Sequence, residues 1–133
     1  MTGLREISLI CVPVTDQEAS LDFYVNKLGM EKRLDTVFGP GYRWIEVYCP
    51  VGSTGIAIAP PPPGVEVTPI PTGITFQTED IEASHSALQA TGIDVDAEIM
   101  RMSDPVPDMF WLRDPDGHSL LVVQAPYSGR TTL

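Results

Sequence analysis

The segment GYRWIEVYC alternates between two kinds of side chain, which is the pattern of a β-strand. Ile45 and Val47 are aliphatic, whereas Trp44, Glu46 and Tyr48 are aromatic or acidic. Neither set is plainly apolar or polar, so the usual rule for a half-buried strand does not say which face is inside. A sheet with one face packed on helices and the other face lining a ligand cavity would produce this alternation.

The chain contains two copies of one pattern. Asp16, Glu18, Ala19 and Ser20 return 64 residues later as Asp80, Glu82, Ala83 and Ser84. Gly29, Trp44 and Gly52 return after 63, 67 and 65 residues as Gly92, Trp111 and Gly117. In each copy an apolar strand runs into an aspartate that can cap a helix, and a glycine can end that helix. We therefore predict two repeated modules.

Three short strands are predicted after each helix. Their bounds are 30–37, 42–49 and 54–59 in the first copy, and 93–100, 108–113 and 118–124 in the second. The order of elements is therefore βαβββ twice. We expect one domain over residues 1–126, built from modules 5–60 and 70–126. The proline-rich segment 60–69 would join the modules, and 127–133 would form a loose tail.

Composition narrows the classes of partner. The 18 acidic and 8 basic residues give a net charge of −10, which disfavours nucleic acid and would attract a cationic partner. The sequence has no apolar run long enough to cross a membrane, and its first residues do not resemble a secretion signal. We expect a cytoplasmic protein. Cys11 and Cys49 are too few and too far apart for a disulfide framework, so we expect reduced thiols.

Two segments resemble the vicinal oxygen chelate superfamily, which includes glyoxalase I, the bleomycin resistance proteins and the extradiol dioxygenases. They are DQEASLDFYVNKLGM after the first strand and LRDPDGHSLLVVQ near the end, and the resemblance covers residues 5–125. It implies an α+β fold in which two tandem βαβββ modules form a cupped, half-barrel-like mixed sheet. The helices would lie on the convex side and a small-molecule ligand on the concave side, and the protein would be a homodimer.

This geometry answers the question raised by the alternating strand. The aliphatic side chains should face the helix, and the aromatic and acidic ones should face the cavity. Gly55, Ala57 and Ala59 should leave room there, and Trp111 should enter from the other module. The predicted ligand-binding residues are Leu9, Cys11, Trp44, Glu46, Tyr48, Ala57, Thr75, Gln77, Trp111 and Leu121.

The resemblance also locates the positions that hold the metal in metal-dependent members. Here they are Leu9, Ala57, Gly73 and Leu121, which have no donor atoms in their side chains. We predict no metal site and no other cofactor. A divalent zinc, nickel, manganese or iron ion would need other ligands, such as Glu46 and His118. We expect His118 to be solvated or locally hydrogen-bonded at a turn, rather than at the cavity mouth, and His85 to lie on the helix surface.

Two functions from different classes fit these residues. The first is a binding or sequestering protein for an aromatic or cationic ligand, as in the bleomycin resistance branch, with Glu46 as the charged partner. The alternative is a glyoxalase-like lyase or isomerase in which Glu46 is a catalytic general base, or a dioxygenase with unrecognised metal ligands. A third possibility is purely structural: the tryptophans fill the cavity and Glu46 pairs with Arg43 or Arg101.

Overall fold

A computed structural model describes residues 1–125 of the chain. The chain divides into two compact units, Met1–Val67 and a second that begins at Thr68. The boundary lies inside the segment predicted as a linker. Treatment of residues 1–126 as one domain stays a prediction, and the predicted tail lies outside the described residues.

The first module has the predicted βαβββ order. Its elements are β1 (Leu9–Pro13), α1 (Gln17–Leu21), a π-helix (Asp22–Lys27), β2 (Glu31–Val37), β3 (Arg43–Tyr48) and β4 (Gly55–Ala59). The strands form one sheet in the order β1-β4-β3-β2. Strand β1 pairs with β4 in parallel, and the other pairs are antiparallel. The first and last strands of the module are therefore neighbours.

The second module repeats this arrangement. Its elements are β5 (Pro71–Thr78), α2 (Ile81–Ala90), β6 (Asp94–Val95), β7 (Met109–Arg113) and β8 (Ser119–Gln124), with the sheet order β5-β8-β7-β6. The α+β class and the tandem modules are confirmed. The strand predicted at 93–100 is much shorter, because regular pairing with β7 ends at Val95 and resumes only as an isolated bridge between Met100 and Met109.

The helix signals in the sequence act as predicted. The side chain of Asp16 accepts hydrogen bonds from the amides of Glu18 and Ala19, and Asp80 accepts one from Ala83. These bonds satisfy amides that have no partner inside the first helical turn. After the helices, Gly29 and Gly92 have φ angles of 81° and 80°, a left-handed conformation that favours glycine.

The π-helix explains a small irregularity between the two copies. The capping aspartates are 64 residues apart but the terminal glycines only 63, so the first helical segment is one residue longer. The structure accommodates the extra residue by widening one turn, and the amide of Leu28 donates to the carbonyl of Phe23 at 2.9 Å, five residues earlier. Phe23 and Tyr24 are buried in this segment.

Alternate strand residues form the core of each module. In the first module, Ile45 pairs with Ile58 and Val47 with Ile56, and all four are buried. In the second, Phe110 pairs with Val122 and Leu112 with Leu120, again all buried. The four residues of the first module are aliphatic side chains predicted for the helix side. Within residues 1–125, none of the helices has the length and apolar character needed to cross a membrane.

Candidate functional site

The first module has a second, more open face that carries the polar and aromatic side chains of the opening pattern. Residues that pair across neighbouring strands point to the same side of a sheet. Ala57 pairs with both Cys11 and Glu46, and Gly55 pairs with both Leu9 and Tyr48. Trp44 lies two residues before Glu46 on β3. The register therefore puts all six site residues predicted in this module on one face, and these are Leu9, Cys11, Trp44, Glu46, Tyr48 and Ala57.

Glu46 lies at the centre of a short hydrogen-bonded group on β3. The indole Nε1 of Trp44 donates to Oε2 of Glu46 at 2.8 Å, and the hydroxyl of Tyr48 donates to Oε1, also at 2.8 Å. All three side chains are half-buried. Alternation along the strand puts the two donors on opposite sides of the carboxylate. Both donors are neutral, so they orient the carboxylate without cancelling its charge.

Tyr48 is held in place by the strand next to it. A Cβ atom added at Gly55 would lie only 2.6 Å from two atoms of the Tyr48 ring, so the ring rests against the bare backbone of Gly55. The hydrogen bond to the Glu46 carboxylate raises the pKa of the Tyr48 hydroxyl, and burial contributes in the same direction. Tyr48 therefore stays a neutral donor at physiological pH.

Arg33 completes this arrangement and was missed in the sequence. It is the unpaired residue of a bulge between Lys32 and Leu34. Its guanidinium lies 4.7 Å from the centroid of the Tyr48 ring and donates to the backbone carbonyls of the turn after β3. The carbonyls belong to Cys49, Pro50 and Gly52. Its contacts fix the Tyr48 ring and the turn together.

Aromatic side chains extend the face beyond Trp44, and sequence reasoning also missed these. The ring centroids of Phe38 and Tyr42 are 4.8 Å apart, and those of Phe38 and Trp44 are 6.1 Å apart. Phe38 is exposed. The segment FGPGY between the strands predicted at 30–37 and 42–49 could have revealed them, because its glycines and proline are typical of a hairpin, and a hairpin brings its flanking side chains close together.

The open face of the second module carries the other predicted residues. Leu121 pairs with both Thr75 and Trp111, and Gln77 lies two residues after Thr75 on β5. Thr75 and Gln77 are exposed, whereas Trp111 and Leu121 are half-buried. The predicted correspondence between Trp44 and Trp111 is wrong. Trp111 pairs with Leu121 as Glu46 pairs with Ala57, which makes Trp111 the counterpart of Glu46.

The small residues of β4 were expected to leave space for a ligand, but other side chains cover them. Gly55 and Ala59 are buried, and Ala57 has no exposed surface. At Gly55 the Tyr48 ring occupies the space. A ligand would reach Ala57 only after a neighbouring side chain moved.

Both histidines are more buried than the sequence suggested. His85 was expected on the helix surface, but it is buried because the helix turns it toward the sheet. Its Nε2 lies 2.7 Å from the carbonyl oxygen of Asp96, and its ring packs edge-on against Phe110. His118 is fully buried, so the expectation of a solvated ring is wrong. Its Nδ1 accepts a hydrogen bond from the amide of Ile70 at 3.1 Å, so the other part of the expectation, a hydrogen-bonded ring, is confirmed.

One cluster in the described residues has the donor types of a metal site. Ligand atoms of Asp114, Asp116 and His118 lie within 4.8 Å of one another. However, Oδ1 of Asp114 accepts hydrogen bonds from the amides of Asp116 and His118. These bonds, and the one from Ile70 to His118, hold the DPDGH turn. Oδ1 of Asp114 and Nδ1 of His118 are thus used in the turn, and the four family metal positions have hydrocarbon side chains or none, so those four positions do not fit a metal.

Arg43 and Arg101, the possible ion-pair partners of Glu46, form ion pairs with other acidic residues. Arg43 forms ion pairs with Glu18 and Asp35, and Arg101 forms ion pairs with Glu82 and Asp108. Among residues 1–125, Glu46 takes part in none of the ion pairs. The purely structural alternative for this carboxylate, pairing with Arg43 or Arg101, is therefore wrong.

Several known proteins resemble this chain over most of its length. YetH of Bacillus subtilis (strain 168) is 25% identical over 119 residues, which is 90% of this chain and 98% of YetH. The crystal structure of TnmS3, an antibiotic binding protein from Streptomyces sp. CB03234, is 27% identical with a TM-score of 0.79, and the match covers 93% of this chain and 98% of that one. The crystal structure of a member of the Glyoxalase/bleomycin resistance protein/dioxygenase superfamily from Sphaerobacter thermophilus DSM 20745 is 30% identical with a TM-score of 0.81. That match covers 91% of this chain and 98% of the other.

Most of the chain also matches one protein family. Residues 6–122 match the Glyoxalase/Bleomycin resistance protein/Dioxygenase superfamily, which confirms the resemblance in the two segments. Because this match spans most of the chain, the protein belongs to the Glyoxalase/Bleomycin resistance protein/Dioxygenase superfamily.

Proposed function

We propose that this protein binds a planar small molecule with a positive charge on the open face of its first module, without a catalytic metal. Glu46 is the charged partner of the ligand, and Trp44 is the surface on which its ring stacks. Tyr48 acts through Glu46 as a positioning residue, because its ring rests against Gly55 and beneath Arg33. Leu9, Cys11 and Ala57 belong to the same face, and Thr75, Gln77, Trp111 and Leu121 stay predicted ligand contacts of the second module.

One observation carries this proposal. The half-buried carboxylate of Glu46 is oriented by two neutral donors and takes part in none of the ion pairs of residues 1–125. A partly desolvated charge without a counter-charge is costly, and a ligand cation would offset that cost. A cation beside an indole gains about 0.5–2 kcal/mol more, and a charge-assisted hydrogen bond about 1.5–3 kcal/mol.

Two further facts support a binding role. The net charge of −10 favours the approach of a cation. TnmS3, which is similar over nearly the whole chain, is an antibiotic binding protein. The enzyme alternative would use the same Glu46 carboxylate as a general base, and it predicts a chemically altered ligand. A homodimer and a cytoplasmic location stay predictions.

The test is a titration with proflavine, a planar aromatic cation, followed by calorimetry and by quenching of tryptophan fluorescence. We expect saturable binding, intact proflavine by mass spectrometry, and a loss of affinity of about 10- to 100-fold in Glu46→Gln. Glu98→Gln removes the same charge from an exposed site and is the matched control, with affinity unchanged. Equal affinity for native protein and Glu46→Gln would refute the electrostatic role, and a chemically altered ligand would favour the enzyme.

A further inference from the structure

The hydrogen bonds at Glu46 restrict which cations fit this site. Each carboxylate oxygen has two lone pairs, and here each oxygen accepts one hydrogen bond from a neighbour on its own strand. The donors come from opposite sides of the carboxylate along β3. Within residues 1–125, one acceptor position therefore remains on each oxygen. Because the two donors approach opposite ends of the carboxylate, we expect the remaining positions to lie side by side, on a group whose rotation is blocked at both ends.

Two parallel acceptor positions match a planar donor with two N–H groups in a fork. Amidinium and guanidinium groups have this shape and bind carboxylates through two parallel hydrogen bonds, whereas an ammonium is a point charge with tetrahedral donors. We infer that the site selects amidine- or guanidine-bearing aromatic ligands over aromatic amines of equal charge, an inference that rests on the proposed binding function.

The surrounding residues agree with a flat cation. Arg33 already places a guanidinium 4.7 Å from the Tyr48 ring centroid on the same strand pair, so this surface accepts a planar cation against an aromatic ring. The charge of Arg33 is itself met by Glu31 and by the carbonyls of the turn after β3. On the other side of Glu46, the ring of Trp44 adjoins Phe38 and Tyr42 and offers an apolar surface for the aromatic part of the ligand.

A matched pair of ligands tests this selectivity. 2-Naphthamidine and 2-(aminomethyl)naphthalene have the same ring system and one positive charge each at neutral pH, and differ in the shape of the cationic group. We expect calorimetry to show that native protein binds the amidine about 10-fold more tightly, because one more charge-assisted hydrogen bond forms.

Trp44 and Tyr48 hold the Glu46 carboxylate from both ends, and we call these two hydrogen bonds the clamp. Removing single hydroxyl groups tests its role. In Tyr48→Phe the aromatic ring still covers Gly55, but the carboxylate can rotate, so we expect the preference for the amidine to fall below about 3-fold. Thr91→Val removes a hydroxyl of the second module that donates to the carbonyl of Leu88 and not to Glu46, and it should keep the full preference. Thermal unfolding of both variants checks that each is folded.

The outcomes separate this inference from the proposed function. If both naphthalenes bind native protein equally, and the affinity of both falls at least 10-fold in Glu46→Gln, the inferred preference for the amidine (the fork selectivity) is wrong and the cation site stands. If the amine binds more tightly, the fork selectivity is also wrong. If neither naphthalene binds and proflavine also fails, the site itself is wrong. A preference that persists unchanged in Tyr48→Phe would overturn the role of the clamp.

Discussion

The two modules share one backbone plan but place different chemistry at equivalent positions of their open faces. Aligned through β4 and β8, Glu46 of the first module corresponds to Trp111 of the second, and Tyr48 corresponds to Arg113. Where the first module has a carboxylate clamped by neutral donors, the second has a half-buried indole. Arg113, in turn, pairs with Asp94 and Asp96.

The helix sides of the modules are much more alike. Ile45 and Phe110 occupy equivalent positions, and both are fully buried. Val47 and Leu112 are likewise equivalent and buried. Packing against a helix allows only apolar side chains that fill the space, whereas an open face is not constrained in this way. The two modules therefore differ mainly on their open faces, and the open face of the first module is the one for which we propose ligand binding.

Core substitutions should produce the largest effects and should test whether the equivalence of the two helix sides extends to stability. We expect Phe110→Ala to lower the free energy of unfolding by about 3–5 kcal/mol and Ile45→Ala by about 2–4 kcal/mol, because both leave cavities. The loss at Phe110 is larger since its ring also packs against His85. Urea denaturation measures both, with Val51→Ala, at a fully exposed position, as the control.

The same denaturation curves show whether the two modules unfold together or independently. If the modules unfold as one cooperative unit, both variants shift a single transition. Two transitions, with each variant shifting only one of them, would show that the modules are independently stable. An Ile45→Ala variant as stable as native protein would contradict the burial of this residue.

Much of the fold was predictable because local signals and long-range packing agree in this chain. The aspartates that cap the helices, the glycines that end them and the alternation of β3 each reflect one short segment and its solvent exposure. The same alternation correctly assigned Ile45 and Val47 to the core, opposite Trp44 and Glu46.

The details that were missed depend on contacts between strands. The bulge that directs Arg33 toward Tyr48 depends on the pairing of β2 with β3, which sequence spacing does not report. The matching of Trp44 with Trp111 failed for the same reason, because residue type suggested a correspondence that strand register contradicts. His85 was misplaced because a helix surface was assumed where the helix packs on Phe110.

An intermediate effect should come from adding one methyl group beneath Tyr48. In Gly55→Ala the new Cβ would lie 2.6 Å from the ring, so the ring must shift, and we expect a loss of about 1–2 kcal/mol in unfolding free energy. The shift should also weaken binding of 2-naphthamidine, because the hydroxyl of Tyr48 moves away from Glu46. Thermal denaturation and calorimetry measure the two effects.

The second module supplies the control for this substitution. Ser119 occupies the position equivalent to Gly55 and already has a Cβ, so Ser119→Ala should change stability by no more than about 0.5 kcal/mol. A Gly55→Ala variant that keeps native stability and native affinity would show that the Tyr48 ring does not depend on the bare backbone beneath it.

The smallest effect concerns the ion pairs on the helix sides, where each module joins two acidic residues through one arginine. Hydrogen bonds from Arg43, and next from Lys32, hold the pKa of Asp35 well below its usual range. Folding thus favours the charged form, so the stabilisation is present above about pH 4, the ordinary value for Asp, and is lost as the pH falls further. Asp35→Asn should cost about 0.5–1 kcal/mol at pH 7, and the gap to native protein should narrow between about pH 4 and pH 2.

The equivalent network in the second module should matter less, which sharpens the comparison between them. Arg101 is 56% exposed and its partner Glu82 is 61% exposed, against 31% and 21% for Arg43 and Asp35. Water and salt screen such an exposed pair more strongly, although Arg101 still lowers the pKa of Glu82. Glu82→Gln should therefore change the urea midpoint less than Asp35→Asn at pH 7. If the gap between Asp35→Asn and native protein is as wide at pH 2.5 as at pH 7, the ion pair is not its cause, because the carboxyl of the unfolded chain takes up a proton below about pH 4 while the folded carboxylate is still charged.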